Sequence, residues 1–512
     1  MTGLCENGHG RITASNVKPD IDASSVHDIV AHAVERIRAK NNGSVRRQRQ
    51  RHSRLLVDLI RALLSQQGAG TPVHSVIEAH LPMSRKSILI ASIVATTSLS
   101  VCVSHPANAY TSGDAKQTVA AVQAPSDIDA KPFAHPGLLH SEQDFQRMRI
   151  NVAQGKQPWL QGWQRLIANR HASLGWTPRP QDAVYRGKNP EHAENYSLLF
   201  NDAAAAYALA LRWKVSGDDA YAGKAIGILN AWSDKLTMIG GNSDKFLASG
   251  IYGYELANAA EILRTSPQWQ ATDFRRFQSM MLTVFYPMNH DFLTRHNGTK
   301  GDHYWANWDL ANMASMLAIG VLADRRDIYS EAVEYFKHGA GNGSIEHLVW
   351  TLYPDGLGQV QESGRDQGHT LLDFALAGAF CQMAWNQGDD LFGYDDNRLL
   401  KGAEYAARYN LGQDVPYTSY SDSLATQPVI SPGSRGDTRP IWELLYNHYV
   451  VLKKLDAPGV AAYAQRVRPE GGGGDYGSTS GGFDQLGYGT LTYTLNGNNP
   501  APTRPNSGPQ PE

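Results

Sequence analysis

The chain has 512 residues and a formal net charge of -2, with 47 Lys and Arg residues against 49 Asp and Glu residues. This near-neutral balance excludes the global basic field that holds nucleic-acid phosphates, so no nucleic-acid partner is expected. The 11 Trp and 23 Tyr residues offer flat apolar faces with a polar edge, which suit sugar rings and an ordinary large core alike.

A secretory signal peptide is predicted inside the chain, at residues 83–109. Met83–Lys86 is a basic start, Ser87–Val103 is an apolar run, and Ala109 closes a small-x-small cleavage site. We therefore predict a periplasmic or secreted protein that has no membrane contact after cleavage; a retained membrane anchor is the alternative. Residues 1–82 are interpreted as a non-native or disordered extension, with a nucleic-acid-binding arm as the alternative.

Cysteine usage agrees with export. Of the three cysteines, only Cys381 remains after the predicted cleavage, because Cys5 and Cys102 precede it. Acylation of Cys102 in a lipoprotein is a weaker interpretation, since Val101 fits that signal poorly. The sequence has no disulfide framework and no zinc-type cysteine spacing, and we expect neither a metal nor another cofactor.

Residues 110–134 lack hydrophobic periodicity and are predicted to be a linker, so the folded domain spans residues 135–495. Its first helix is predicted to be capped by Ser141, with Glu142 and Asp144 in the first turn. The further helices are predicted at Trp159–Ala168, Tyr196–Val215, Ala220–Ser233, Leu247–Leu263, Trp269–Tyr286, Trp305–Ala323, Asp327–Lys337, Ile345–Thr351, Arg398–Tyr409 and Pro440–Lys454.

Very apolar helices alternate with more polar ones along the domain, and mostly short loops join them. This pattern predicts an all-α fold, an (α/α) toroid or incomplete barrel of helical hairpins in two concentric rings. Phe483–Thr494 alternates between apolar and polar residues, which predicts a short strand-like or lid-like segment. Residues 496–512 have the composition of a disordered tail.

The most informative stretch is Pro354–Trp385. Its first half carries a polar cluster, and its second half is an apolar helix with Leu372, Leu376 and Phe380 at four-residue steps. The polar residues of the cluster are Asp355, Glu362, Arg365, Asp366 and His369. We expect them on a loop and on the first turns of a buried helix, which fixes their positions and leaves them open to a ligand.

Other apolar helices begin with polar or aromatic groups too. The helices in question begin near Tyr196, Leu247, Trp305, Arg365 and Arg439. If the two rings alternate along the chain, these five helices share one ring and their N-termini gather on one rim. Asn307, His369 and Tyr446 are then expected to converge, whereas Tyr405 belongs to the other ring.

The mixture of Asn, Glu, Arg, His and Tyr suits β-elimination on a uronic acid. The reaction removes the C5 proton beside a carboxylate and expels the sugar linked at C4. An amide, an Arg or a protonated Glu neutralises the carboxylate, His or an ionised Tyr takes the proton, and Tyr protonates the leaving oxygen. The alternative is a glycoside hydrolase on an (α/α) barrel, with Glu362 and either Asp366 or Asp309 as its two carboxylates.

Five motifs follow one another along the domain: His303–Trp308, Asp355–Gly356, Glu362–His369, Glu404–Gly412 and Arg439–Tyr446. In this combination and order they resemble the alginate lyase superfamily with an (α/α) toroid, and most closely polysaccharide lyase family 38. The resemblance covers about His135 to Thr494. It implies a polysaccharide lyase that cleaves a polyuronate such as alginate, polymannuronate or glucuronan.

The resemblance also implies roles for single residues. Asn307 matches the neutralising Asn, Glu362 the acidic partner of the substrate carboxylate, and His369 the catalytic His. The chain departs from family 5 alginate lyases, which have His at the position of Trp308 and Tyr at that of Leu372. The roles of His and Tyr must therefore be distributed differently here, and the preferred uronate epimer does not follow from the residues.

The Arg and Tyr of the site are assigned to Arg439 and Tyr446, because the ring argument puts both on the same rim as His369. Arg398 with Tyr405 is the competing pair. The predicted substrate-binding residues are Arg365, His303, Tyr304, Trp308, Tyr252 and Asn195. The alternative for Arg365 is an ion pair with Glu362 alone. Aromatic core packing is the alternative for Tyr252, Tyr304 and Trp308, and a capping role is the alternative for Asn195 and His303.

Overall fold

The computed structural model describes residues 132–480 and 483–496, except for the side chains of 477–480. The predicted N-terminal extension, the signal peptide, most of the linker and nearly all of the tail lie outside these residues. Where the chain is described it is mostly helical, and no helix there is both long enough and apolar enough to cross a membrane.

The helices are α1 (Glu142–Ala153), α2 (Trp159–Ala168), α3 (Tyr196–Ser216), α4 (Asp219–Ser233), α5 (Lys245–Leu263), α6 (Ala271–Met280), α7 (Tyr286–Arg295), α8 (Ala306–Leu322), α9 (Arg326–His338), α10 (Ile345–Leu348), α11 (Gln367–Gln387), α12 (Tyr394–Asn410), α13 (Trp442–Leu445), α14 (Pro458–Val467) and α15 (Gly489–Thr492). Two π-helical segments, Met281–Phe285 and Tyr446–Leu452, extend α6 and α13.

The helix ends follow local signals in the sequence. Ser141 caps α1 through a reciprocal capping box, in which its hydroxyl accepts the Asp144 N–H and the Asp144 carboxylate accepts the Ser141 N–H at 2.8 Å. The long helices α3 and α11 end at Gly217 and Gly388, which have φ angles of 74° and 102°. Glycine adopts this left-handed conformation without steric cost, so both helices stop there.

Two layers of helices form the domain, as the alternation of polarity predicts. Helices α3, α5, α8 and α11 pack against one another in sequence, and every residue of α8 is buried. Helix α13 continues this inner layer, because Gly378 of α11 faces Leu444 and Leu445. Helices α4, α9, α12 and α14 cover the inner layer, and α9 buries only one stripe, at Ile328, Ala332 and Phe336. The predicted (α/α) toroid is confirmed.

Three short two-stranded sheets accompany the helices. They are the parallel pair β1 (Ala183–Arg186) and β2 (Met238–Gly241), and the antiparallel pairs β3 (Val349–Leu352) with β4 (Gly358–Val360) and β5 (Tyr420–Ser421) with β6 (Thr426–Gln427). The helix predicted at Ile345–Thr351 therefore ends early. Its last residues pair with β4, a partner that local periodicity does not reveal.

The C-terminal residues do not form the predicted strand-like segment. Gly487 and Tyr488 have φ angles of 77° and 62°, which interrupt an extended chain, and the helical turn α15 follows them. Helix α15 packs against α1, α2 and α13, so it lies between the last inner helix and the first helices of the domain. Glu470 supports this closure, because its carboxylate accepts the backbone N–H groups of Trp442 and Glu443 at 2.8 and 3.0 Å.

Candidate active site

The N-terminal end of α8 meets the turn Gln361–Gly364 that leads into α11. Asn307, the second residue of α8, donates two hydrogen bonds to Oε1 of Glu362, at 3.0 Å from its backbone N–H and at 2.5 Å from its side-chain amide. Glu362 is fully buried, so direct contact with a substrate requires a change of conformation. In this conformation Glu362 orients the Asn307 amide.

Arg365 connects Glu362 to His369. Its guanidinium donates to Oε2 of Glu362 at 2.7 Å and to Nε2 of His369 at 3.1 Å, and it packs over the ring of Trp305 at 4.7 Å. The Arg365 side chain is 24% exposed, so its charge reaches the surface while the buried Glu362 binds it on the inner side.

His369 is oriented by Asp366, the residue that caps α11. One carboxylate oxygen of Asp366 accepts the backbone N–H of His369 at 2.8 Å, and the other lies 2.7 Å from Nδ1 of its ring. Burial alone raises the pKa of Asp366, but the hydrogen bonds and charge of His369 outweigh burial and hold this pKa below its ordinary value. The ionised Asp366 accepts a hydrogen bond from the Nδ1–H group, so the lone pair of the neutral ring lies on Nε2, where it accepts from Arg365. His369 is therefore built as a base, with 40% of its side chain exposed.

Arg439 lies at the same end of α11 but is almost fully buried. Its guanidinium donates to the carbonyl oxygen of Gly368 at 3.0 Å and to Oε1 of Gln485 at 2.7 Å, and it lies 3.6 Å from Asp484. The structure thus brings Arg439 beside His369. Its observed contacts hold the C-terminal segment against the start of α11.

The two candidate tyrosines have other neighbours. The ring of Tyr446 faces Arg468 at 5.8 Å, and Arg468 pairs with Glu443 rather than with the His369 group. Tyr405 is 1% exposed and stacks with Tyr353, and burial raises its pKa, which keeps its hydroxyl protonated. In the described chain neither hydroxyl hydrogen-bonds to His369.

Arg398, the partner of Tyr405 in the competing pair, binds the carbonyl oxygen of Val349 at 2.8 Å and the carboxylate of Asp395 at 2.7 Å. The first contact anchors the start of α12 to β3, and the second lies within α12. The structure therefore does not bring Arg398 to the His369 group.

Two predicted substrate-binding residues support the rim. Asn195 uses both ends of its amide to hold β1, because it accepts from Tyr185 N–H at 2.7 Å and donates to the Ala183 carbonyl at 3.0 Å. Tyr252 is fully buried, and its hydroxyl accepts a hydrogen bond from Arg186 at 3.3 Å.

The remaining three predicted substrate-binding residues form one aromatic group. Trp308 is buried and packs against Phe292 and Tyr304, whose hydroxyl accepts a hydrogen bond from Asn297 at 3.0 Å. His303 meets the edge of the Tyr304 ring. His303 and Tyr304 are partly exposed, so only these two of the three present a surface to a ligand.

Sequence reasoning missed several residues around this site. Asp484 carries the negative charge that faces Arg439, Arg186 and His369, and burial raises its pKa despite these three groups. Arg186 lies against the rings of Tyr196 and Tyr252 at 5.1 and 5.8 Å. Neither Asp484 nor Arg186 belongs to a recognisable motif, and the one signal for Asp484 was its charge within a glycine-rich stretch.

Neither a surface cavity nor a cluster of metal-ligating side chains adds a candidate among the described residues. A cavity of about 330 Å³ lies between α9 and the loop after α11, lined by Tyr329, Lys337 and Asp390, and it contains none of the predicted site residues. Among the described residues, no group of three or more His, Cys, Asp or Glu side chains is arranged to hold a metal ion.

Comparison with known proteins adds a family assignment. The family model described as alginate lyase matches residues 151–415, just over half of the chain. An alginate lyase from Bacteroides ovatus is similar at 13% identity and a TM-score of 0.49, over 71% of this chain and 100% of its own. Alginate lyase A1-III from Sphingomonas species A1 is similar at 15% identity and a TM-score of 0.44, over 64% of this chain and 92% of its own.

No curated protein matches the chain. The two structural similarities are too weak to support an argument about the site, and assignment to polysaccharide lyase family 38 stays a prediction. The match to the family model covers more than half of the chain, so this protein belongs to the alginate lyase family and is a polysaccharide lyase.

Proposed function

We propose that this lyase cleaves a polyuronate by β-elimination between C4 and C5, which leaves an unsaturated uronate at the new end. The observation that carries the proposal is the continuous hydrogen-bonded chain from Asn307 through Glu362 and Arg365 to His369 and Asp366. This chain contains hydrogen-bond donors that can neutralise a substrate carboxylate, Asn307 and Arg365, and a base that can remove a proton, His369. The proposed substrates are alginate, polymannuronate and glucuronan, all of which are acidic polysaccharides.

Neutralisation of the substrate carboxylate is the first requirement. The negative charge of a carboxylate opposes formation of a carbanion at the adjacent C5, so donors aimed at the carboxylate lower the barrier. Arg365 supplies a fixed positive charge, and Asn307 supplies an amide that Glu362 orients. Because Glu362 is buried, we assign it the task of positioning these two donors.

Proton removal at C5 is assigned to His369. Asp366 accepts a hydrogen bond from Nδ1–H, so the lone pair of the ring lies on Nε2, where the Arg365 guanidinium donates to it at 3.1 Å. Arg365 therefore has to turn from Nε2 to the substrate carboxylate before Nε2 can take the C5 proton. When His369 takes the C5 proton, the nearby charge of Asp366 stabilises the imidazolium.

The leaving oxygen at C4 requires an acid. In mannuronate and glucuronate the C5 proton and the C4 oxygen lie on the same side of the ring, so one group serves as base and then as acid. We propose this double role for His369, since no described tyrosine hydroxyl bonds to it, and we therefore expect activity on mannuronate or glucuronate polymers. Tyr446 stays a prediction as a separate acid.

The glycoside hydrolase alternative receives no support from the carboxylates assigned to it. Glu362 is fully buried, and Asp366 is committed to His369. Asp309 is also fully buried, with hydrogen bonds from Tyr335 and from the Gly343 N–H. An inverting or retaining pair needs two carboxyl groups that both face the sugar.

A polymer panel tests the proposal. Purified protein is incubated with polymannuronate, polyguluronate, glucuronan and a neutral glycan, and the absorbance of the unsaturated product is followed. We expect a rise on an acidic polymer and a loss of kcat/KM of about 10²–10⁴-fold in His369→Ala, the range for a general base. His290→Ala removes an exposed histidine outside the site and is the matched control.

Two tyrosine variants locate the acid. Full activity in both Tyr446→Phe and Tyr405→Phe supports the double role of His369, whereas loss in one of them assigns the acid to that residue. Reducing sugar released from the neutral glycan without new absorbance would instead favour the hydrolase.

We also propose a periplasmic or secreted location, because residues 83–109 have the layout of a signal peptide. N-terminal sequencing of the protein from its native host tests this. A mature chain that begins at Tyr110 supports the location, and one that retains residues 83–109 contradicts it.

A further inference from the structure

A second carboxyl group lies behind the hydrogen-bonded chain of the site. Asp373 is on α11, four residues after His369, a spacing that puts both on the same side of the helix. Its side chain is fully buried, no N–H group of the described residues donates to either of its oxygens, and its carboxyl group is within hydrogen-bonding contact of Glu362. Of the charged groups that act on Asp373, Glu362 has the strongest effect, and Arg365 and Asp366 are the others.

The hydrogen bonds decide which of the two carboxyl groups carries a proton. Glu362 accepts two N–H groups from Asn307 and one from Arg365, all of which stabilise an ionised carboxylate. Asp373 accepts none. A buried carboxylate without donors is strongly destabilised, and two carboxylates sharing one buried site do not both ionise at neutral pH.

We propose that Asp373 is a positioning residue of the elimination site, which keeps the one proton of the buried pair and thereby leaves Glu362 ionised to orient Asn307 and Arg365. This inference rests on the proposed function. Asp373 contacts no substrate, since it is buried beneath Glu362 and acts only through it.

The electrostatics of the pair agree with this geometry. Burial, followed by the negative charge of Glu362 and the hydrogen bond between the two carboxyl groups, raises the pKa of Asp373 well above its ordinary value, and Asp366 adds to the increase. Arg365 alone opposes it. The acid form of Asp373 therefore persists at neutral pH, and its O–H is available to point at Glu362.

Loss of this proton has a defined consequence. When Asp373 ionises at alkaline pH, two negative charges share the pocket. The second charge competes with Glu362 for the donors Asn307 and Arg365, so these two side chains are no longer held in one position. We therefore expect kcat/KM to fall at alkaline pH in the wild-type enzyme. The fall belongs to Asp373, so it disappears when residue 373 is uncharged.

Two substitutions of Asp373 distinguish the effect of its proton from the effect of its size. Asp373→Asn keeps a neutral donor, and we expect its kcat/KM at pH 7 to stay within about threefold of wild type while the alkaline fall is lost or moves up by at least about one pH unit. Asp373→Leu keeps the size but removes the donor, and we expect a loss of at least about tenfold at pH 7. Equal losses in the two folded variants, or full activity in Asp373→Leu, would overturn the proposal.

Glu470→Gln is the matched control for these profiles. Glu470 is another fully buried carboxyl group that shares its pocket with a second one, Glu443, and burial and that neighbour raise its pKa as well. It is not part of the hydrogen-bonded chain, so the alkaline fall is expected to remain in this variant. Disappearance of the fall in Glu470→Gln would also overturn the assignment to Asp373.

A stability measurement needs no activity and separates this inference from the proposed function. Because the pKa of Asp373 is raised in the folded protein, the wild type loses stability relative to Asp373→Asn as pH rises above about 4, the ordinary pKa of Asp. We expect the difference in Tm between the two proteins to grow from pH 4 to pH 8. A constant difference means that Asp373 is ionised throughout and overturns the proposal, even if no polymer is cleaved.

Discussion

At the scale of single residues, the site depends on carboxylates that hold other groups in place. Asp366 caps α11 with one oxygen and fixes the His369 ring with the other. Glu362 aligns Asn307 and Arg365 in the same way. The amino-acid sequence does not distinguish such positioning carboxylates from catalytic acids, because both are acidic residues close to a histidine.

The substitution Asp366→Asn tests the role of this carboxylate at His369. Asn is as good a helix cap as Asp, so the free energy of unfolding is expected to change by less than about 1 kcal/mol. The Nδ1 proton loses its ionised acceptor, and kcat/KM is expected to fall by at least about 10²-fold. Steady-state kinetics and urea unfolding of the same preparation measure both quantities. Wild-type kcat/KM would contradict the assigned role.

At the scale of elements, the C-terminal segment belongs to the rim of the site although it lies beyond residue 415, where the family match ends. Asp484 and Gln485 hold the buried Arg439, and Arg439 holds the first turn of α11 through Gly368. The position of His369 one residue further on therefore depends on a segment more than 100 residues away in sequence.

The substitution Arg439→Met tests this connection. It removes the cation that acts most strongly on the buried Asp484 and leaves Arg186 as the remaining Arg, so we expect the free energy of unfolding to fall by up to about 3–5 kcal/mol. The double variant Arg439→Met with Asp484→Leu removes both charges and is expected to recover part of this loss. Denaturant unfolding of the two single variants and the double variant gives the coupling energy. Strictly additive effects would show that the pair is not coupled.

At the scale of the whole molecule, two buried histidines make the fold sensitive to acid. Burial lowers the pKa of His448 to about 3 and that of His140 to about 4. His448 stacks on Phe392 at 3.8 Å between ring centroids, and His140 hydrogen-bonds to the Tyr207 hydroxyl at 2.6 Å. The folded protein thus binds fewer protons than the unfolded chain at mildly acidic pH.

Stability is therefore expected to fall as pH drops below about 6.5, the ordinary pKa of histidine, and to level off only below about pH 3. For His448 the expected cost at pH 5 is about 2 kcal/mol. His448→Phe removes this titration, so its urea midpoint is expected to change less between pH 7 and pH 5 than that of the wild type. An identical change in both proteins would contradict the assignment, and the exposed His290 provides the control position.

The sequence by itself determined most of the helices and the two-layer toroid, and it named the residues proposed for the central part of the site. Helix periodicity, the Ser141 cap and the glycine stops are local signals, so they appear in the order of the residues alone. Asn307, Glu362 and His369 were found because each lies at or just before the start of an apolar helix. Resemblance to a known family then indicated the reaction.

Only the tertiary structure decided how the groups of the site share protons and charges. That Glu362 is buried and accepts three hydrogen bonds, that Asp373 accepts none, and that Tyr446 faces Arg468 all depend on contacts between distant parts of the chain. The C-terminal segment is the clearest case. Its alternating residues predicted a strand, but two left-handed backbone positions and the packing of α15 against α1, α2 and α13 impose a turn instead. Burial and hydrogen-bond pairing depend on residues that are distant in sequence, so they cannot be deduced from local sequence patterns.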